Sequence, residues 1–333
     1  MNKQLRTKKL SVSVDSLFRQ NYDTTESTNF LYTLPSPIKN VIKMSITALE
    51  IPNFWYGFNS NKKSNEFTIT VFNYKIQDPN NTSNPPINVP STTYIITMPD
   101  GNYNNVDIVI FLMNYFTNVG GGLSYMIVEV DVNSGTTIFR ARHLNDNRTL
   151  PSPFDPSNPY YSPTFYFTLD FRIQSDPERP IYKNLGWSMG FNKPFYTVMA
   201  HNTYSTLFSS IGKGEITYNS YIESEMAFGS SFYNYIFLDI DDFNRGFSND
   251  NIIACQSNGY LVGNNIIARI TIACPSNSVN LTTAADAILK SREYYGPVTI
   301  SQLNIRLLDR FGDIVDINKN DISFLIEFTI IDQ

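Results

Sequence analysis

The sequence predicts a mainly β chain, a β-sandwich interrupted by an α+β insertion. Period-two alternation of apolar and polar residues marks strands near both ends, in "NVIKMSITALEIP" and in "DISFLIEFTII". The convincing helical pattern of the first half, "NNVDIVIFLMNYF", falls between them and is followed by a hairpin. The composition is that of strands and polar loops: 24 Phe and 21 Tyr, with frequent Ile, Val, Thr and Asn. The alternative on the same observations is two tandem β domains with a break near 175–230.

Residues 1–19 are polar and unpatterned, with Lys3, Arg6, Lys8 and Lys9 at their start, and read as a basic flexible arm. "NFLYTLP" is the first strong strand. In "NVIKMSITALEIP", Ile42, Met44 and Ile46 alternate with Lys43, Ser45 and Thr47. The phase then changes at Ala48-Leu49, which predicts a bulge or corner. "EFTITVFNY" gives a further strand with Phe67, Ile69 and Val71 on one face. The Pro-, Asn- and Ser-rich "QDPNNTSNPPINVPS" is a surface loop. The helix after it places Val106, Val109, Ile110, Met113 and Phe116 at helical spacing. Asn104 or Asn105 can cap it, and Asp107 suits its positive end.

"YMIVEVDV" and "TTIFRAR" form a hairpin through Asn133-Ser134-Gly135, and "TFYFTLDFRI" alternates Phe165, Phe167, Leu169, Phe171 and Ile173 with polar residues. The stretch 176–230 is rich in loops. Strands return with "YNYIFLDI", "NIIARITIA" and "PVTISQLNIRLL", a short helix fits "TTAADAILKSRE", and "DIVDI" and "DISFLIEFTII" close the chain. The organisation expected is an arm over 1–19, a sandwich from 20–75 plus 230–333, and an insertion over 76–229.

A length of 333 residues corresponds to about two domains. With 42% hydrophobic and 14% aromatic residues the chain has ample material for a packed core. A formal charge of −5 argues against a generally basic nucleic-acid surface. Two cysteines, Cys255 and Cys274, exclude a disulfide framework and a four-thiolate zinc site, and their apolar settings read as buried thiols. Two histidines, His143 and His201, exclude a multi-histidine metal site. No apolar stretch follows the basic N-terminus, and "IVIFLM" is far below the ~20 residues that span a bilayer, so a soluble chain is expected.

Catalytic patterns fail where they can be checked. "LDIDDFN" offers Asp239, Asp241 and Asp242. As a calcium loop starting at Asp239, it has Phe243 at position five and Asn244 where glycine is required. Gly120 to Gly122 follow a helix, whereas a phosphate cradle leads from a strand into a helix. No Gly-x-Ser-x-Gly elbow occurs. Glycoside chemistry needs only two carboxylates, but among 30 acidic residues some pair always lies close. In "LNIRLLDRFGDIVDINKNDISFLIEF", Asp309, Asp313 and Asp321 fall between short strands, the turn residues of a three-stranded meander. No catalytic, cofactor or metal residue is assigned, and no enzyme activity is expected. The features suited to contact are the large apolar residues of Gly-punctuated loops: Trp187, Met189 and Phe191 in "LGWSMGF", and Trp55 in "FWY". Aromatics of this kind could also stack on sugars, which keeps a carbohydrate-binding or host-attachment sandwich as the alternative function.

The order of blocks from "YDTTESTNFLYTLPSPIKNVIKMSITALEIPN" through "MPDGNYNNVDIVIFLMNYF", "LGWSMGF", "YNYIFLDIDDFN" and "NIIARITI" to "REYYGPVTISQLNIRLLDRFGDIVDINKNDISFLIEF" resembles a family of virion proteins. These belong to nucleocytoplasmic large DNA viruses of the mimivirus-like and chlorella-virus-like group. The resemblance implies a minor capsid or penton-type protein on a jelly-roll sandwich, in which distant strands share one core. It implies other capsid proteins as partners, a homo-oligomer with a pentamer favoured, and a place in the virion after assembly in the host cytoplasm. It implies no cofactor and no small-molecule substrate. The basic arm would reach an inner membrane or the genome, with a modest electrostatic pull.

Overall fold

The computed structural model describes residues 6–72, 74–76, 87–141, 166–198, 204–208, 215–218, 221–229, 234–245, 252, 254, 262–263, 265–283 and 291–332. In chain order the strands are β1 (Thr7–Asp15), β2 (Asn29–Asn53), β3 (Glu66–Val71), β4 (Tyr74–Ile76), β5 (Ile87–Val89) and β6 (Thr92–Thr97). Helix α1 (Asn105–Val119) precedes β7 (Met126–Val130), β8 (Thr136–Ala141) and β9 (Phe167–Asp170). A four-residue helix, α2 (Leu185–Ser188), leads to β10 (Phe195–Val198), β11 (Tyr204–Phe208), β12 (Glu215–Tyr218) and β13 (Tyr221–Ala227). The last five strands are β14 (Tyr235–Asp241), β15 (Ile266–Thr271), β16 (Ser278–Thr283), β17 (Ser291–Leu308) and β18 (Ser323–Ile331). The chain is mainly β, its sheets are antiparallel, and the arrangement is consistent with a β-sandwich.

Two compact units divide the chain: Met1–Tyr56 with Tyr233–Gln333, and Gly57–Phe232. The divisions expected from the sequence lie near 75 and 230. β3 belongs to the second unit because it pairs with β6 and β9.

The first unit is a seven-stranded sheet in the order β1-β18-β2-β17-β14-β15, with β16 also on β2. β2 organises it. One edge of β2 takes β17 along Asn29–Ser45 and β16 along Ala48–Asn53, and the other takes β18 along Val41–Glu50. The phase change expected at Ala48-Leu49 is a bulge in which Thr47 has no opposite partner between Leu325 and Ile326. Burial accordingly passes from Met44 and Ile46 to Leu49 and Ile51. A second bulge at Ile42 makes Val41 rather than Ile42 the fully buried residue there.

Three expectations change in this unit. Within the expected arm, Thr7–Asp15 pair with β18 in unbroken register. Only Val14 of β1 is buried, so an edge strand with two wet faces left no alternation to read. The C-terminal meander does not form. β17 and β18 both pair with β2, which runs between them, and "DIVDI" contributes an isolated bridge, Leu308 to Ile314. Finally, the ends of "TTAADAILKSRE" are strand, in β16 and β17, and its middle lies outside the described residues.

The second unit holds a four-stranded sheet, β10-β9-β3-β6, a three-stranded one, β13-β8-β7, and two-stranded β11-β12 and β4-β5. Its core gathers Phe67 and Ile69 of β3, Phe139 of β8, Phe167 and Leu169 of β9, and Ile108, Leu112 and Phe116 of α1. Asn104 caps α1, accepting from the amides of Val106 and Asp107 at 2.8 and 2.9 Å. The inward face of the helix differs from the expected one: Val106 and Ile110 are exposed, and Ile108 and Leu112 are fully buried. Apolar residues surround nearly the whole circumference of this helix, so spacing alone fits more than one face. Among the described residues no helix is long and apolar enough to cross a membrane.

Candidate interaction surface

The acidic residues that drew attention in the sequence are taken up internally. Asp309 accepts from the amides of Phe311 and Asp313 at 2.8 and 3.0 Å, and Asp316 from that of Asn318 at 2.8 Å. These are the local turn bonds expected of Asp. Asp321 instead pairs with Arg19 at 2.8 Å and accepts from the Ser16 hydroxyl at 2.7 Å. In "LDIDDFN", Asp239 meets Arg306 at 2.9 Å and Asp242 meets Arg292 at 2.7 Å, while Asp241 caps the amide of Phe243. Tyr294 donates to the same Asp242 oxygen, and burial followed by the Asp242 charge holds the Tyr294 hydroxyl well above the usual phenol range. No cluster of three or more metal-ligating side chains occurs among the described residues. His143, His201 and Cys255 lie outside them, and Cys274 is half-buried and free.

The loop "NLGWSMGF" is built from its backbone outward. Asn184 is fully buried and donates its side-chain N–H to the Phe171 carbonyl at 3.0 Å. Gly186 lies flat against Phe171, where a Cβ would come within 2.4 Å of the ring. Gly190 has φ +90°, and a Cβ there would meet the Met226 carbonyl at 2.1 Å. The Phe191 amide closes the loop on the Gly186 carbonyl at 2.8 Å. Met189 and Phe191, expected as surface anchors, are fully buried in the core, Phe191 stacking on Phe171 with centroids 5.0 Å apart. Trp55, in the first unit, is also buried, at 6% exposure. Met189 and Phe191 close the loop over the core, which leaves them no surface to offer.

Trp187 is the member of the expected set that stays at the surface, 36% exposed. It stands edge-to-face against Tyr182, also 36% exposed, with centroids 6.4 Å apart and planes at 82°. Tyr182 is absent from the expected set, because a separation of five residues in "YKNLGW" matches neither helical nor strand spacing. The chain beyond Phe191 is tied to β13: the Tyr196 hydroxyl donates to Glu225 at 2.7 Å, the Asn192 amide donates to the same oxygen at 3.2 Å, and Lys193 lies 3.7 Å from the other. Burial, then the bond to Glu225, pushes the Tyr196 hydroxyl up. Burial acts to raise the Glu225 carboxyl too, but these bonds and the Lys193 charge outweigh it and set it below the ordinary range. The result is a stiff frame presenting an aromatic pair.

No known protein family matches the sequence, and no curated protein matches it. Among solved structures, the chain is similar to the penton protein of mavirus, with a TM-score of 0.37 and 7% identity over 97% of this chain and 99% of that one. It is also similar to a chain in the cryo-EM structure of the Sputnik virophage, with a TM-score of 0.39 and 12% identity over 97% and 98%.

Proposed function

We propose that the chain is a structural subunit of a viral capsid, of the minor capsid or vertex type, and acts by binding other capsid subunits. The observation that carries the contact role is the loop at 184–193, whose buried Asn184, Met189 and Phe191 fix the frame while Trp187 and Tyr182 stay at the surface. Rigid aromatic side chains give contact area at little cost in ordering, which is what a protein interface rewards. The viral half of the reading is supported by the ordered sequence blocks that resemble virion proteins. On it the chain resides in the virion, assembles in the host cytoplasm and forms rings, with five-fold closure favoured. Lys8 and Lys9 lie 3.5 and 2.8 Å from Asp332 and Glu327, which weakens the electrostatic pull of this segment on an inner membrane or genome. The carbohydrate alternative receives less support, because rings at 82° offer no shared flat platform for a sugar.

Locating the chain in purified particles by cryo-EM tests the proposal. We expect density for it in the shell, and Trp187→Ser should lower its incorporation while the isolated chain stays folded. Particles that contain none of this chain would overturn the reading.

A further inference from the structure

β1 ends the seven-stranded sheet, and among the described residues no strand pairs with its outer side. Its hydrogen-bonding phase can be read from its two ends. The Asp332 amide donates to the Arg6 carbonyl, and the Ser16 amide to the Ile322 carbonyl, both at 2.9 Å. Bonded pairs alternate in an antiparallel ladder, so even-numbered residues of β1 face β18. The amides and carbonyls of Thr7, Lys9, Ser11, Ser13 and Asp15 therefore point outward. The Ser13 carbonyl accepts from the Tyr32 hydroxyl at a long 3.4 Å on an exposed path.

Sheet edges are ordinarily blunted by a proline, a bulge or a charge placed across them. β1 has neither proline nor bulge over its nine residues. Its two lysines are drawn back along β18, Lys9 to Glu327 at 2.8 Å and Lys8 to Asp332 at 3.5 Å. Leu10 remains 41% exposed on the face that Val14 buries.

We infer that this edge binds the β1 edge of a second copy, antiparallel, about a two-fold axis through Val12. The residues select both the occupant and the register. With Val12 opposite Val12, Leu10 faces Val14 and Ser11 faces Ser13, while Lys9 faces Asp15 at both ends of the contact. The outward amides and carbonyls of Lys9, Ser11, Ser13 and Asp15 then meet one another, as the phase requires. Sliding by two residues in either direction keeps the phase but separates Lys9 from Asp15. Charge and hydrogen-bonding phase thus agree on one alignment. The ammonium of Lys9 has three donors and can hold Glu327 and the incoming Asp15 together. The Asp15 oxygen that caps the Leu17 amide at 2.9 Å leaves its second oxygen for the lysine.

The contact is isologous and closes on itself, so it joins copies in pairs. A ring of five would need a separate, heterologous surface. The inference is therefore independent of the capsid reading.

The test is the mass of the full-length chain by light scattering and sedimentation over a concentration series. We expect reversible doubling of whatever species is smallest. Ser11→Pro removes an outward N–H and leaves the bonds to β18 untouched, a place where an edge strand tolerates proline. It should weaken doubling by about tenfold or more, with the thermal melt showing that the chain is folded. Lys9→Asp and Asp15→Lys each set like charges against each other and should each block doubling. Mixed together, the two variants restore both ion pairs and should form a mixed pair. A wild-type chain that never doubles, Ser11→Pro doubling as tightly as the parent, or charge variants that fail to pair when mixed would each overturn the inference.

Discussion

Arg292 carries its charge to a fully buried position, where Asp242 and the Asn265 carbonyl receive it at 2.7 and 3.1 Å. A buried pair of this kind adds little net stability, because both ions lose their water, but removing one partner strands the other. Asp242→Ala should therefore destabilise the chain by about 3–5 kcal/mol, and Tyr294→Phe by about 1.5–3 kcal/mol, measured by urea unfolding. Glu225 supplies a pH test. Its folded pKa lies below the ordinary carboxylate value, so its share of stability is present above that ordinary value and is lost as pH falls through the folded pKa. Tyr196→Phe removes the donor at 2.7 Å and should raise the Glu225 pKa, read by NMR titration of its carboxyl. Neither network was legible in the sequence. The turn role of Asp309 is local and could be read, whereas Asp321, expected at a turn, pairs with Arg19, and Asp239 and Asp242 pair with Arg306 and Arg292, partners that only the sheet brings near.

At the scale of elements, alternation was most informative where one side of a strand is wet. In β18, Phe324, Ile326 and Phe328 are buried in turn, and in β9 Phe167 and Leu169 are, with Phe171 and Ile173 continuing the pattern past the strand end. The bulge near Thr47 was visible as a slip in phase, because a one-residue insertion must move the apolar set to its neighbours. Helix α1 was located, capped and charged as its sequence indicates, but its inward face was misjudged. Ile108→Ala and Leu112→Ala should each cost about 2–5 kcal/mol, whereas Val106→Lys and Ile110→Lys should stay within about 0.5 kcal/mol of the parent. Equal losses at all four positions in thermal melts would restore the other face.

At the scale of the whole molecule, two sets of strands have separate sheets, and the chain leaves the first set and later returns to it. Hydrogen exchange should accordingly resolve two protected groups, one containing β2, β17 and β18 and the other β3, β8, β9 and α1. Protection of β3 together with β2 would place the division nearer 75. That boundary was hard to read because β3 alternates in the same way whichever sheet receives it. The loop at 184–193 was legible as a place of interest and not as a surface, since burial of Phe191 depends on Phe171 and Tyr196 meeting it from elsewhere in the chain. β2 also fixes an order of events in time. It is translated early, yet its partners reach from Ser278 to Ile330, so on the ribosome it must wait unpaired while nearly the whole chain is made. Contacts of such separation are slow to form, and the interval is when β2 is most open to the wrong partner. Residues 57–232 meet most of their own partners sooner, so the first unit is the one completed last.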